Sequence, residues 1–323
     1  MRHPVFLALI LTLMAGFAQA EEPVFRVGVL KFGTVNWELA VIAHHGLDAK
    51  EGLHIEQVEL ASNPATQIAL QAGRVDAAVS DWLFVSRQRA EGADWSFFPF
   101  STALGSVVLP PGSSIKSLAD LKGKRLGIAG STIDKSWLIL RLLGKTRDGI
   151  DLDRDTTKFF APPPLLEEQL KAGRLDAVLT FWPSAARLEA EGYHRLLPVE
   201  DALHALGFPA RLPLVGYIVS EKWAKAHQPL VAAFQRARAA ADAILASSDA
   251  EWDWLAPRTE ARDKAELTRL RDAFRAGIPA RWGDDERHDS ARLYDLLAKE
   301  GGSELVGPGQ SLQPGTFLDF IRY

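Results

Sequence analysis

A stretch of this chain recurs one hundred residues further on, and that repetition restricts its fold more than any other feature. Ala72-Gly73-Arg74-Val75-Asp76-Ala77-Ala78-Val79-Ser80-Asp81-Trp82 runs on to Arg87 and Ala90-Glu91-Gly92. Its counterpart is Ala172-Gly173-Arg174-Leu175-Asp176-Ala177-Val178-Leu179-Thr180-Phe181-Trp182, running on to Arg187 and Ala190-Glu191-Gly192. Ten of the 21 aligned positions are identical without a gap. The same offset pairs Trp37 with Trp137, and one residue short of it Val27-Gly28-Val29 pairs with Leu126-Gly127-Ile128. Convergence on a helix–turn–strand pattern would explain the repeated Gly and Asp. Matched Trp, Arg and Ala-Glu-Gly require a duplication.

Each copy reads as alternating strands and helices. In the first, strands are expected at Val24–Leu30, Leu53–Leu60 and Val75–Ser80, with helices at Asn36–Leu47, Pro64–Gln71 and from the third strand to Gly92. The second copy gives strands Arg125–Ala129, Thr157–Ala161 and Leu175–Thr180, with helices Lys135–Leu143 and Pro164–Ala172. Such alternation implies right-handed β-α-β crossovers and mostly parallel sheets. Phe98–Leu109 and Phe208–Ser220 are extended connectors, and Pro229–Ala246, Glu260–Ala276 and Glu286–Glu300 are amphipathic helices without a third copy of the repeat. The expected fold is α/β with two lobes, each a mostly parallel sheet flanked by helices, joined by a two-strand hinge. Residues 21–105 with 212–323 form lobe 1 and carry the C-terminal helices, and residues 106–211 form lobe 2.

Residues 1–20 are expected to be a signal peptide. A weakly basic start precedes an apolar run from Val5 to Phe17, and Ala18-Gln19-Ala20 is a small-x-small cleavage site. The run is too short for the ~20 apolar residues of a spanning helix. With no Cys in the chain, lipidation at the cleavage point, disulfides, thiol catalysis and Cys-ligated metals are all excluded. A soluble, unlipidated protein of a Gram-negative periplasm is expected. The net charge of −4 argues against a nucleic-acid partner, and a monomer is expected.

Ligands of open α/β sheets bind outside the carboxyl ends of the strands. Four loops occupy those ends: Lys31-Phe32-Gly33-Thr34 and Ser80-Asp81-Trp82 in lobe 1, and Gly130-Ser131-Thr132-Ile133-Asp134 and Thr180-Phe181-Trp182 in lobe 2. The candidate ligand-binding residues are therefore Lys31, Phe32, Thr34, Asn36, Ser80, Asp81, Trp82, Ser131, Thr132, Asp134, Phe181, Trp182 and, on the return segment, Tyr217. The amides and hydroxyls at Ser131-Thr132 suit an anionic group, or else serve only to cap the next helix. Asp81 and Asp134 would answer an amine, and Lys31 or Lys135 a carboxylate. Trp82 and Trp182 follow strands directly and are expected in the cleft; Trp37 and Trp137 lie inside helices and are expected in the core. His44-His45 point about 100° apart on a helix, so they are expected as surface residues and no metal site is assigned. No nucleotide loop, G-x-S-x-G or HExxH motif is present, so no catalytic residue and no cofactor is expected.

Three segments resemble the periplasmic substrate-binding proteins of ABC importers, in particular their NMT1/THI5-like branch, which includes sulfonate-, taurine- and nitrate-binding proteins. They are Gly46-Leu47-Asp48-Ala49-Lys50-Glu51-Gly52-Leu53, Ala72-Gly73-Arg74-Val75-Asp76-Ala77, and the most specific, Ser117-Leu118-Ala119-Asp120-Leu121-Lys122-Gly123-Lys124-Arg125-Leu126-Gly127. The resemblance implies the type II periplasmic-binding-protein fold, closing on a small solute and delivering it to an inner-membrane permease. Such proteins often carry Trp, an acid and Pro after the second-lobe strand; here Phe181-Trp182-Pro183 puts an aromatic residue in the acidic slot. Trp82 stands where small, Gly-rich loops are common. Both departures point away from taurine or nitrate and toward a larger organic solute, with an anionic or aromatic group left open. A periplasmic accessory or sensor protein, or an enzyme on the same fold, such as the menaquinone-pathway proteins that resemble these binders, stays as the alternative.

Overall fold

The computed structural model describes residues 22–31, 33–209 and 211–323. The expected export signal and Phe32 lie outside the described residues. The first copy of the repeat builds β1 (Val24–Leu30), α1 (Val35–His45), the short α2 (Leu47–Lys50), β2 (His54–Leu60), α3 (Asn63–Gln71), β3 (Ala77–Asp81), α4 (Trp82–Ala90) and β4 (Trp95–Ser101). The second builds β5 (Gly105–Leu109), β6 (Arg125–Ala129), α5 (Lys135–Leu143), α6 (Leu152–Asp155), β7 (Thr157–Ala161), α7 (Pro163–Lys171), β8 (Ala177–Phe181), α8 (Trp182–Ala190), β9 (His194–Pro198) and α9 (Val199–Ala205). The chain then returns through β10 (Val215–Ser220), α10 (Glu221–Ala226), α11 (Gln228–Ser247), α12 (Asp249–Thr259), α13 (Lys264–Gly277) and α14 (Asp284–Val306). No helix among the described residues is long and apolar enough to cross a membrane.

Two five-stranded sheets result, ordered β2-β1-β3-β10-β4 and β7-β6-β8-β5-β9. The first three strands of each are parallel, as β-α-β crossovers require. The fourth is antiparallel to both neighbours and arrives from the other lobe: β10 returns into the first sheet, and β5 enters the second directly after β4 leaves the first. The two sheets are thus the same arrangement used twice, the expected two-lobed architecture.

The duplication persists at atomic detail. Asp76 accepts from the Arg26 amide at 2.8 Å and from its guanidinium at 3.0 and 2.8 Å. Asp176 accepts from Arg125 in the same three-way pattern at 2.7, 3.0 and 2.7 Å. The repeated Asp therefore ties the turn before the third strand to the foot of the first. It also explains why β3 and β8 begin at Ala77 and Ala177, two residues later than the apolar pattern suggests. Helix α1 likewise ends at His45, because Gly46 adopts φ 58° and closes the helix with its amide bonded to Ala43.

Strand β10 passes so close to β4 that only glycine fits at position 216. A Cβ there would stand 2.2 Å from the Phe98 carbonyl oxygen and 2.3 Å from the Phe97 ring. Both neighbours are held by the sheet, so the Gly216→Ala variant should lose about 1–3 kcal/mol through overpacking. Its urea midpoint, compared with that of the parent chain, reads this directly.

The C-terminal helices bridge the lobes and are not confined to the first. Helix α11 packs on α1, whereas α13 lies against α8 and α14 touches both α4 and α5. Ion pairs reinforce these crossings: Arg187–Glu266 at 2.8 Å, Arg262–Glu191 at 2.5 Å, and Arg141 and Lys145 on Glu300 at 2.9 and 2.7 Å. One hydrophobic core consequently runs through both lobes, with a smaller cluster between β8, α7 and α8. His44 and His45 are at the surface as expected, and both also bond Glu251 of α12. No sequence spacing could show this acid, 206 residues away from His45.

Candidate functional site

The carboxyl ends of the strands in the two sheets face one another across a chamber of about 320 Å³. Lobe 1 supplies the end of β1, Thr34 before α1, Asn63 and Thr66 in the first turn of α3, and Phe100 of β4. Lobe 2 supplies Lys135 and Ser136 in the first turn of α5, then Phe181, Trp182 and Pro183 where β8 becomes α8. Leu104 and Gly105 of the crossing segment complete it. The wall is mostly apolar, and among the described residues it holds no carboxylate and no histidine. Four helices begin at this wall, so the positive ends of their dipoles lie at it.

Lys135 is the chamber's cation. Its Nζ lies 3.7 Å from Asp81 Oδ2, which sits at the end of β3, so the pair spans the cleft from lobe to lobe. Burial would lower the lysine's pKa, but Asp81 and Asp134 outweigh it and hold the ammonium above its ordinary value. It is therefore charged at neutral pH and retains donors for a second acceptor. Asp134 is shifted upward, chiefly by burial, against the pull of Lys135 and of the Trp137 and Ser136 amides. Its Oδ1 caps α5 by accepting from the Ser136 and Trp137 amides at 2.9 and 3.4 Å. Asp81 caps α4 through the Phe84 amide at 2.8 Å. Both acids thus have structural work in addition to facing the cleft.

A family model described as NMT1/THI5 like matches residues 35–250. The chain belongs to the NMT1/THI5-like family. A curated relative, the "Putative thiamine biosynthesis protein" of Haemophilus influenzae, is 31% identical over 143 residues. That alignment covers 44% of this chain and 44% of the relative, so the match spans less than half of the relative's length. The periplasmic aliphatic sulphonate binding protein SsuA from Escherichia coli has a similar fold, with a TM-score of 0.73 at 19% identity, covering 92% of this chain and 97% of that one. The desulfurization enzyme DSZB also has it, with a TM-score of 0.60 at 16% identity over 88% of this chain and 95% of its own. The shared backbone, then, does not by itself separate binding from catalysis.

In this family member the structure brings many, but not all, of the expected residues to the cleft. Thr34, Phe181 and Trp182 line the chamber. Ser80, Asp81, Ser131 and Asp134 line a pocket of about 360 Å³ on the other side of Lys135. Lys31 and Asn36 border a third cavity of about 660 Å³. There Asn36 Nδ2 donates to the carbonyls of Leu30 and Lys31 at 2.8 and 3.0 Å, holding the loop after β1. Thr132 is directed away, its hydroxyl bonded to Glu304 of α14 at 3.1 Å.

Two of the expected residues lie in the core, away from the chamber. Trp82 is fully buried, with its indole N–H donating to the Pro213 carbonyl at 3.0 Å and its ring edge-on to Phe317. Tyr217 is equally buried; its hydroxyl donates to Glu38, and burial together with that carboxylate raises the phenol well above its ordinary pKa. Neither lines the chamber. Trp37 and Trp137 are core residues as expected, although Trp37 also meets Trp182 edge-on at 5.8 Å from the opposite lobe. Asn63, Thr66, Ser136 and Phe100 were not singled out from sequence. The Ser62-Asn63-Pro64 helix start was the available signal for the first two, since it marks a first turn at a strand end.

Proposed function

We propose that this chain is the solute-capturing component of an ABC importer in the periplasm. It would hold a small organic solute with an apolar body and an anionic or hydrogen-bond-accepting end, and deliver it to an inner-membrane permease. The observation that carries the reading is the chamber itself, walled by both lobes and largely apolar, with a single charged lysine at the start of a helix. A solute there touches both lobes, which is the condition for ligand-driven closure. The volume is at the small end of ligand sites. Lys135 already faces one carboxylate, so the geometry favours a single anionic group over a multiply charged ligand. The sulphonate-binding description of SsuA is consistent with that class.

Hydrolytic or transfer chemistry has less support, because the chamber wall offers no nucleophile–base pair among the described residues. A solute incubated with the protein and examined by mass spectrometry should be recovered unchanged; progressive conversion would move the chain to the enzyme reading.

The direct test is a thermal-shift panel of alkyl and aryl sulfonates, carboxylates and pyrimidines, followed by calorimetry on hits. A ligand at 100 times its dissociation constant adds about 2.7 kcal/mol to stability. The Lys135→Met variant, which keeps the length of the side chain, should bind the tightest anionic member about tenfold to a hundredfold more weakly. Equal affinity in that variant would remove the anionic end from the proposal. No stabilisation by any member, and no compaction in scattering, would instead favour an accessory protein.

A further inference from the structure

A second constellation lies at the outer end of α1, away from the chamber. His44 Nδ1 is 2.9 Å from Glu251 Oε1, and His45 Nε2 is 2.9 Å from Glu251 Oε2. Neighbouring helix positions point in different directions. The two imidazoles meet on one acid because His44 uses its near nitrogen and His45 its far one. Glu251 is 7% exposed, whereas the histidines are 37% and 35% exposed, so the carboxylate forms the floor and the rings form the rim. The donor atoms of all three residues lie within 4.8 Å of one another. The His44 ring is further fixed by stacking on Trp254, with centroids 3.8 Å apart and planes within 7°.

We propose that His44, His45 and Glu251 form a binding site for a divalent first-row transition metal of the zinc, nickel and copper class. Two imidazole nitrogens and one carboxylate oxygen suit these ions, while magnesium and calcium favour oxygen-only sets. Each imidazole can carry its proton on the nitrogen facing away from Glu251, leaving the inner lone pair for the metal. A tetrahedral ion with bonds of about 2.0–2.2 Å holds its donors roughly 3.3–3.6 Å apart, so the pairs now at 2.9 Å open slightly and the widest, within 4.8 Å, closes by no more than about 1.5 Å. The half-exposed rim leaves an outward coordination position for water. Such an ion would fasten α1 to α12, the two helices that also hold Trp37: Trp252 of α12 meets it edge-on at 5.7 Å, and the Arg258 carbonyl accepts its indole N–H at 3.3 Å.

The test uses the untagged full chain, stripped with a chelator. Zinc titrated by calorimetry should saturate at one ion per chain and raise the melting temperature. Copper(II) should quench tryptophan fluorescence, because the Trp254 indole lies against a ligand ring. The Trp254→Phe variant should still bind zinc but lose most of that quenching. His45→Gln and Glu251→Gln should each weaken zinc binding at least about tenfold, since even outer-shell partners of metal ligands are worth that much. His45→Gln alters a half-exposed side chain and does not disturb the buried acid, so it tests the site even if Glu251→Gln folds poorly. Absence of saturable zinc binding, or unchanged affinity in His45→Gln, overturns the proposal.

Discussion

Replacing Arg238 with methionine is expected to cost about 3–5 kcal/mol of stability, among the largest effects available to a single substitution here. Arg238 on α11 is 1% exposed and Glu38 on α1 is fully buried. The guanidinium Nε donates to both Glu38 oxygens at 2.9 and 3.0 Å, and a terminal nitrogen donates to the Pro99 carbonyl at 3.0 Å. Asp242 lies 3.5 Å away and the Tyr217 ring 4.9 Å beneath the guanidinium carbon. Removing the cation leaves Glu38 in the interior with only the Tyr217 hydroxyl as its remaining named donor. The cost is that of an orphaned charge, not of a lost attraction, so Arg238→Met combined with Glu38→Gln should be more stable than Arg238→Met alone. A deficit in the double variant as large as in the single one would show that packing, not charge, is responsible. The pH dependence has a definite sign. Burial and Glu38 push the Asp242 carboxyl well above its ordinary range, against Arg238. A raised acid contributes stability in full below its unfolded value, near 3.9, and loses it as pH rises through the raised value. Without Arg238 that loss deepens, so urea denaturation should give a smaller deficit at about pH 4 than at pH 7.

The repeat made the architecture legible because its turn is local: the same spacing of Gly and Asp builds the same turn before the third strand, and the Asp then receives the same bracket from Arg26 in one lobe and Arg125 in the other. The converging strand ends were legible for the same reason, and Thr34, Phe181 and Trp182 were found through them. What sequence could not supply is long-range. Nothing near His44 and His45 indicates Glu251, and nothing in the helical tail says that α13 will lie on α8 while α14 spans both lobes. Tyr217 sits on a returning strand one face of which looks toward α1 and not the cleft, and periodicity alone cannot tell these faces apart once both are covered. Asn63 and Thr66 were hidden for a different reason. A short polar helix start resembles any other cap until its position at the cleft is known.

The repeat-matched tryptophans give the other large effect, because their identical sequence positions have opposite surroundings. Trp82→Ala should destabilise the protein by about 3–5 kcal/mol, the range for emptying a fully packed aromatic site. It should leave solute affinity close to that of the parent, since no part of Trp82 reaches the chamber. Trp182→Ala should show the reverse. Its ring is only partly buried, standing in the chamber wall with Trp37 and Phe274 both edge-on behind it at 5.8 and 6.4 Å. Stability should fall by less than in Trp82→Ala. Affinity for the best ligand of the panel should fall at least about tenfold, because one aromatic contact is worth about 1.5–3 kcal/mol and the closing lobes lose a shared surface. Trp182→Phe should recover most of the affinity if apolar contact is what matters. The cause of the divergence lies in the neighbouring residues. Asp81 caps α4, whose first residue is then directed into the core beside Pro213 and Phe317. Phe181 offers α8 no such side-chain cap, Pro183 occupies its first turn, and both aromatic residues stay at the cleft. Denaturation midpoints and calorimetry on the two alanine variants separate these roles. Loss of affinity in Trp82→Ala at parental stability would reverse the assignment and place the solute behind β3.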